Sequence, residues 1–355
     1  MLRHNLSLAT VACCGRENLS SVLAREILSM RFLRFALIVF SGLIGALLVA
    51  WSAGALYFDL PASPLLRTTA SILWAAGAVA LGIFGGLRGR ILAIFGFAVI
   101  VGWWLTLRPT QDADWQPQVA TLAYASHDGD RLTVHNIRDF EYRSATDFTP
   151  RYDTRNFDLA NLRALDLFIN YWGSPYMAHP ILSFDFGPQG HLCFSIEIRP
   201  KQGQKYSTLG SLYRRYELIY FAADERDVVR LRTNYKHEDI YLYRLTLSPD
   251  EVRVRFMEYI ARLNELHARP AWYNAVTHNC TTSIRAQHPK AEQSPWDWRM
   301  LVNGFADQML YERHALAGDL PFTQLKVQAL INRRALEAGD APDFSQRIRA
   351  GLAGF

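Results

Sequence analysis

Cysteine is scarce in this chain of 355 residues: there are four, and two of them, Cys13 and Cys14, lie close to the N-terminus. Only Cys193 and Cys280 remain for the rest of the protein, too few for the dense disulfide framework of small exported domains. Charge is missing in three places, because residues 35–58, 68–87 and 91–107 contain no Asp, Glu, Lys or Arg. Buried helices of a soluble protein would still show polar residues at a 3.6-residue period, and these runs show almost none, which excludes ordinary soluble packing for them. Internal repeats and low-complexity tracts are absent as well, so repeat architectures drop out.

What is present divides the chain in two. Hydrophobic residues make up 50% of it, concentrated before residue 108, while the remainder has ordinary globular composition. Each uncharged run approaches the roughly 20 apolar residues that cross a bilayer's hydrocarbon core. The spacing predicts a transmembrane region over 30–107, with helices near 35–58, 68–87 and 91–107. A polar linker with Pro109, Asp112, Asp114 and Pro117 is expected over 108–120, and a folded domain over 121–355.

Arg31 and Arg34 precede the first run, and Arg88 and Arg90 fill the short link between the second and third. Positive charge favours the cytoplasmic side, so an odd number of spans leaves the C-terminal domain outside; Arg67 opposes this as one charge against four. Trp51, Tyr57, Trp103 and Trp104 suit the aromatic belts at the membrane surfaces. The expectation is a multi-pass protein of a bacterial inner membrane with its C-terminal domain in the periplasm. Cys13 and Cys14 follow too brief an apolar run for a lipoprotein signal, and Thr10 stands where such signals carry Leu. Met30, Arg31, Phe32, Leu33 and Arg34 resemble the start of a signal anchor, so residues 1–29 are read as an upstream extension outside the fold.

In the outer domain, short apolar runs over 132–148 and 159–174 predict strands, with a helix or several turns between them. The clearest element is a hairpin from His179 to Arg199 around Gly187, Pro188, Gln189 and Gly190, its first strand running from Ala178 to Phe186. Alternation puts His191, Cys193, Ser195 and Glu197 on one polar face that can line a site, and Leu192, Phe194, Ile196 and Ile198 on the other. If Phe186 pairs with Gly190, His179 falls opposite Glu197; a slip of two would bring Arg199 there instead. Further strands are expected at Leu218–Tyr220 and Ile240–Leu247. Ser248, Pro249, Asp250 and Glu251 then supply a cap, a first-turn proline and two acids that open a helix through His267. Pro270 stops it. Cys280 is expected near the first turn of a helix reaching Gln287. Helices over Trp298–His314 and Phe322–Glu337 follow, with breaks at Gly318 and Gly339.

A helix N-terminus or a nearby imidazole lowers a thiol's pKa and makes it a nucleophile, and Cys280 is a candidate for both effects. A base and an orienting acid complete such a constellation, and the hairpin offers His179 and Glu197. The residues alone leave other uses open. Cys193 and Cys280 can form a disulfide, Cys280 can be an inert buried thiol, and His179, His191, Cys193 and Cys280 have the chemistry of a zinc site. His278 competes as a base, and Arg199, Arg214 and Arg215 are candidates to meet anionic head groups.

Trp172, Gly173, Ser174, Pro175 through Ala178 and His179, then Leu182, Ser183, Phe184, Asp185 and Phe186, then Phe194 to Arg199, resemble the Lnb N-terminal periplasmic domain family. Tyr216, Glu217 and Leu218, then Asp224, Glu225, Arg226 and Asp227, then Tyr273 and Asn274, then Asn279, Cys280, Thr281 and Thr282, follow the family's order. So do Phe344, Ser345 and Arg347 to Gly351, which extends the resemblance over Trp115 to Leu352. The resemblance implies an α+β fold, a circularly permuted papain-like domain with an antiparallel sheet, in which the base precedes the nucleophile along the chain. It implies Cys280 as nucleophile, His179 as base and Glu197 or a neighbour as orienting group. Asn279, Ser183 and Arg199 are the expected substrate or oxyanion contacts, with helix capping as the other use of Asn279.

The implied function is a membrane-anchored, cysteine-dependent acyltransferase or hydrolase acting on lipoprotein or lipid acyl groups through a thioester. The alternatives are a peptidase or amidase acting on cell-wall peptides and a non-catalytic envelope binding module. Membrane lipids are the expected partners, with lipoproteins or cell-wall peptides as candidates; no cofactor, metal or nucleic acid is expected.

Overall fold

The computed structural model describes residues 16–277, 284 and 295–355, with side chains from residue 30 onward. Contacts divide the chain into two units, one ending at Thr106 and the other running from Leu107 to Phe355.

In the first unit α1 (Arg16–Asp59), α2 (Pro64–Phe84) and α3 (Gly86–Thr106) carry the three uncharged runs. At 1.5 Å per residue a 21-residue helix such as α2 or α3 rises about 31 Å, the thickness of a bilayer's apolar core. Helix α1 reaches back to Arg16, so part of the segment set aside as an extension is helical. Ser63 caps α2 by accepting from Leu66 N, and Pro64 sits at its first position, where a missing N–H costs nothing. Helix α3 restarts one residue after Gly85, so Arg88 and Arg90 lie in its first turns, not in a link. A Cβ on Gly89 would stand 2.4 Å from the Leu81 carbonyl oxygen, which is why this turn needs glycine. Polar groups are matched between helices: Trp74 Nε1 donates to Ser52 Oγ and Trp104 Nε1 to Asp59 Oδ2, both at 2.7 Å.

The second unit is built on a sheet of nine strands among the described residues. These are β1 (Tyr124–Asp128), β2 (Arg131–Arg138), β5 (Tyr152–Asp158), β6 (Ala164–Tyr171), β7 (Ala178–Asp185), β8 (His191–Arg199), β9 (Glu217–Ala223), β10 (Asp239–Arg244) and β11 (Ala271–Trp272). Their order is β1-β2-β9-β8-β7-β6-β10, with β5 on β2 and β11 on β9, while β3 (Glu141–Tyr142) and β4 (Phe148–Thr149) pair separately. Pairing is antiparallel except for one β2–β9 contact, Arg138 with Ala223.

Alternation along the strands sends side chains to two cores. Leu192, Phe194 and Ile196 pack with Phe256, Tyr259 and Leu263 of α5 (Pro249–Ala268). Ser248 and Glu251 close a capping box at the start of that helix, as its first residues predicted. On the opposite face Cys193, Ile181 and Ile219 pack with Val228 and Val229 of α4 (Glu225–Arg230) and with residues near the C-terminus. The hairpin's polar face is therefore not an open site wall, because helices cover it and Cys193 and Ser195 are fully buried.

Two expected C-terminal helices are broken, each for a visible reason. In place of one helix over Trp298–His314 there are two short 3-10 turns and α6 (Ala306–Glu312). There the Asn303 side chain accepts from Ala178 N at 2.8 Å, and a Cβ on Gly304 would meet the Pro175 carbonyl oxygen at 2.1 Å. The helix expected over Phe322–Glu337 becomes α7 (Phe322–Ala329) and α8 (Asn332–Ala338), followed by α9 (Phe344–Arg349). Between α7 and α8 the backbone bridges the exposed edge of β10, with Ile331 N donating to the Ile240 carbonyl at 3.0 Å. The segment 108–120, expected as a linker, is tied to the sheet: Thr110 N donates to Glu217 at 2.6 Å and Trp115 bridges to Lys201.

Candidate functional site

The β7–β8 register decides which side chains meet. Ile181 pairs with Ser195 and Asp185 with His191, and Phe186 N donates to the Gly190 carbonyl at 2.9 Å across a three-residue turn. Gly187 and Gly190 take positive φ in that turn, 60° and 87°, conformations costly for any other residue. Continuing the register puts His179 opposite Glu197, and their side chains do meet: His179 Nε2 lies 3.0 Å from Glu197 Oε1.

Ser195 stands between them, its Oγ 2.7 Å from His179 Nε2 and donating to Glu197 Oε1 at 2.8 Å. A carboxylate only accepts, so this geometry places the proton of a neutral His179 ring on Nε2 and leaves Nδ1 as its basic nitrogen. Arg232 donates to the same carboxylate oxygen at 2.8 Å from a π-helical turn spanning Leu231–Tyr235. Burial pushes the Glu197 carboxyl up. The charges of His179 and Arg232 and the Ser195 hydrogen bond outweigh it and hold the group well below the usual carboxylate range. The imidazole is itself buried, with the Trp172 ring edge-on at 6.3 Å and Asn170 as its β6 partner.

The imidazole on this central strand is thus held through one nitrogen by a half-buried carboxylate. Residues 148–304 match the Lnb N-terminal periplasmic domain family. With three apolar helices of spanning length ahead of it, the chain is a membrane protein carrying a periplasmic domain. No curated protein and no solved structure gives a significant match. The Lnb domain match is shorter than the sequence resemblance suggested. It leaves out the Phe344–Gly351 segment, although Arg349 in that segment bonds to Glu225 within the match.

Inside this second unit the sequence-derived site residues separate. Cys280 and Asn279, and His278 with them, lie outside the described residues. Ser183, expected to contact substrate, instead donates to Glu225 at 2.5 Å in a fully buried ion cluster. Arg349 joins Glu225 to Asp166, and Arg244 adds a bond to Asp166 at 2.7 Å. Arg199, the other expected contact, is 3% exposed and spends its guanidinium inward. It donates to the Val119 and Ala120 carbonyls and to Gln111, and it stacks over the Trp115 ring at 4.2 Å. Head groups cannot reach it.

Cys193 is free and buried, and burial raises its thiol pKa well above the ordinary value, so it is not activated; the Cys280 half of the disulfide alternative lies outside the described residues. Among the described residues no group of three or more His, Cys, Asp or Glu converges as metal ligands.

Two participants escaped the sequence reading. Ser195 was placed on the right face but given no role. Arg232 carried no signal at all, because the π-helical turn that aims it has no recognisable pattern. The Asp224–Asp227 signature is structural: Asp224 caps α4, and Asp227 holds Arg138, the Phe140 N–H and the Tyr142 hydroxyl. An acid at Asp166 amid an apolar strand was the one available hint of the buried cluster.

Proposed function

We propose that the domain is a cysteine-dependent acyltransferase or hydrolase of a bacterial inner membrane, facing the periplasm and acting on lipid or lipoprotein acyl groups. The chain would span the membrane three times. In this mechanism the Cys280 thiol gives its proton to His179 Nδ1 and attacks an ester carbonyl. Backbone N–H groups near Cys280 steady the oxyanion. The alcohol then leaves with the proton from His179, and a thioester remains on the sulfur. An amine or water next attacks the thioester, His179 removes its proton, and the thiolate departs with the amide or acid released. Glu197 orients the ring and offsets its positive charge in both halves.

The observation that supports this most is the 3.0 Å contact between His179 and Glu197, which the continued β7–β8 register sets opposite each other. Chain course adds to it. Strand β11 pairs with the first residues of β9, so the chain departs toward Cys280 from the sheet end that holds His179 and Glu197. An apolar cavity of about 230 Å³ lined by Leu165, Leu182, Tyr259, Ala178 and Pro180 lies on the α5 face, across the sheet from the His179 imidazole, and is no part of this site. The circularly permuted papain-like arrangement belongs to the same proposal: base before nucleophile, on a sheet packed by helices.

The test is mass spectrometry of the full-length protein after incubation with phospholipid. A mass increment of one acyl chain on Cys280, absent in Cys280→Ala, is expected. If no acyl adduct or product forms and a thiol-directed probe leaves Cys280 unlabelled, the domain is a non-catalytic envelope module.

A further inference from the structure

The sheet end that carries His179 and Glu197 also receives the chain from the last apolar helix. Helix α3 ends at Thr106, and the next residue, Leu107, is held by Arg214, whose Nη1 donates to its carbonyl at 2.9 Å. Gln116 N then bonds the Pro200 carbonyl and Gln202 N the Asp114 carbonyl, so the entering strand of chain runs along the β8–β9 loop. That loop is unusual in composition. From Pro200 to Tyr216 it holds Lys201, Lys205, Arg214 and Arg215 and no acid. It also leaves Tyr206 and Leu209 51% and 66% exposed, with Leu212 beside them. The β6–β7 loop, at the same end, exposes Trp172, Tyr176 and Met177. Exposed aromatic and aliphatic residues set among basic ones mark a surface that meets an anionic lipid interface, where amphipathic rings and cationic side chains both gain.

We infer that this end of the sheet rests on the outer leaflet of the bilayer, with the β8–β9 and β6–β7 loops seated in the lipid interface. Chain length supports this, since a loop anchored to Leu107 lies one residue from the end of a membrane-spanning helix and cannot reach far from the surface. The consequence for the thiol chemistry proposed above, on which this part rests, is that an acyl substrate reaches His179 without leaving the membrane.

The experiment uses full-length protein in vesicles of phosphatidylethanolamine and phosphatidylglycerol that contain a phospholipid with a photoactivatable diazirine near its head group. Tryptic cleavage at Lys205 and Arg214 isolates residues 206–214, and cleavage at Arg155 and Arg163 isolates 156–163, which holds the exposed Ala160 and bonds Gln189 of the β7–β8 turn at the opposite end of the sheet. Lipid adducts at least fivefold more abundant on 206–214 than on 156–163 are expected, falling to the level of 156–163 in Leu209→Glu. Equal labelling of the two wild-type peptides overturns the inference and points to a protein partner for the exposed loops. Iodoacetamide reactivity of Cys280 in the same vesicles separates the two ideas, since an inert Cys280 defeats the thiol chemistry whatever the lipid adducts show.

Discussion

Arg349 grips Glu225 with both terminal nitrogens, Nη1 to Oε2 at 2.7 Å and Nη2 to Oε1 at 2.5 Å, and both side chains are buried. The bond links the last helix to the start of α4 across the second core. Breaking one partner of a buried pair strands the other charge away from water, which costs about 3–5 kcal/mol. Arg349→Met should therefore lower the melting temperature of the purified protein sharply, read by near-ultraviolet circular dichroism. A melting curve unchanged from wild type would show that the cluster contributes nothing to stability.

The same cluster sets the acid limit. Burial raises the Glu225 carboxyl, but Arg349, His191 and Ser183 together bring it down to about 2 from an ordinary 4.5. A carboxyl whose folded pKa is depressed contributes stability that is complete above its unfolded pKa and is lost as pH falls through the folded one. Unfolding free energy should hold steady above about pH 5 and drop by roughly 3 kcal/mol toward pH 2. Arg349→Met should flatten that slope, which a series of denaturant titrations from pH 7 to pH 2.5 would measure.

Glu197→Gln keeps the shape of the orienting group and removes its charge. The amide can present its N–H to His179 Nε2, which selects the wrong tautomer, so turnover should fall roughly 10²–10⁴-fold with little change in KM. Ser195→Ala leaves the direct 3.0 Å contact in place and should cost less. A shifted pH profile in Glu197→Gln, with wild-type melting behaviour, would distinguish a positioning role from a structural one.

Cys193 should stay unmodified by iodoacetamide in the native protein and react only after unfolding, because it is sealed in the second core. Peptide mapping after a short exposure is expected to find label on Cys280 and none on Cys193. Label on Cys193 would contradict the packing of β8 against α4.

Gly304→Ala tests how the site's rim is held. An added Cβ would run into the backbone at Pro175 and Tyr176, so the β6–β7 loop must shift beside His179. Activity should fall about tenfold, and stability by about 1–3 kcal/mol. Wild-type kinetics in this variant would show that the loop is not coupled to the imidazole.

The hairpin was legible because two independent local signals agreed: alternation over Ala178–Arg199 and a glycine-rich turn of defined length. The α5 boundary was legible from Ser248, Pro249 and Glu251 for the same reason. What failed was anything set by tertiary partners. Nothing local says that Leu330 must line the edge of β10, or that Arg199 turns inward to clasp Val119 and Ala120. Ser183 and Cys193 share a strand-face periodicity with His179 and Glu197, and periodicity alone cannot show which part of a face lies beneath a helix.

The most direct test is the pH dependence of Cys280 alkylation by iodoacetamide, compared among wild type, His179→Ala and Glu197→Gln. If His179 serves the thiol, wild-type Cys280 should already react at pH 6 near its maximal rate. In His179→Ala the rate should instead follow an ordinary thiol with a midpoint near pH 8.5 and be about 300-fold below its own maximum at pH 6. Glu197→Gln should fall between them. Identical rates in all three proteins at every pH would contradict the proposal that imidazole and sulfur act as a pair.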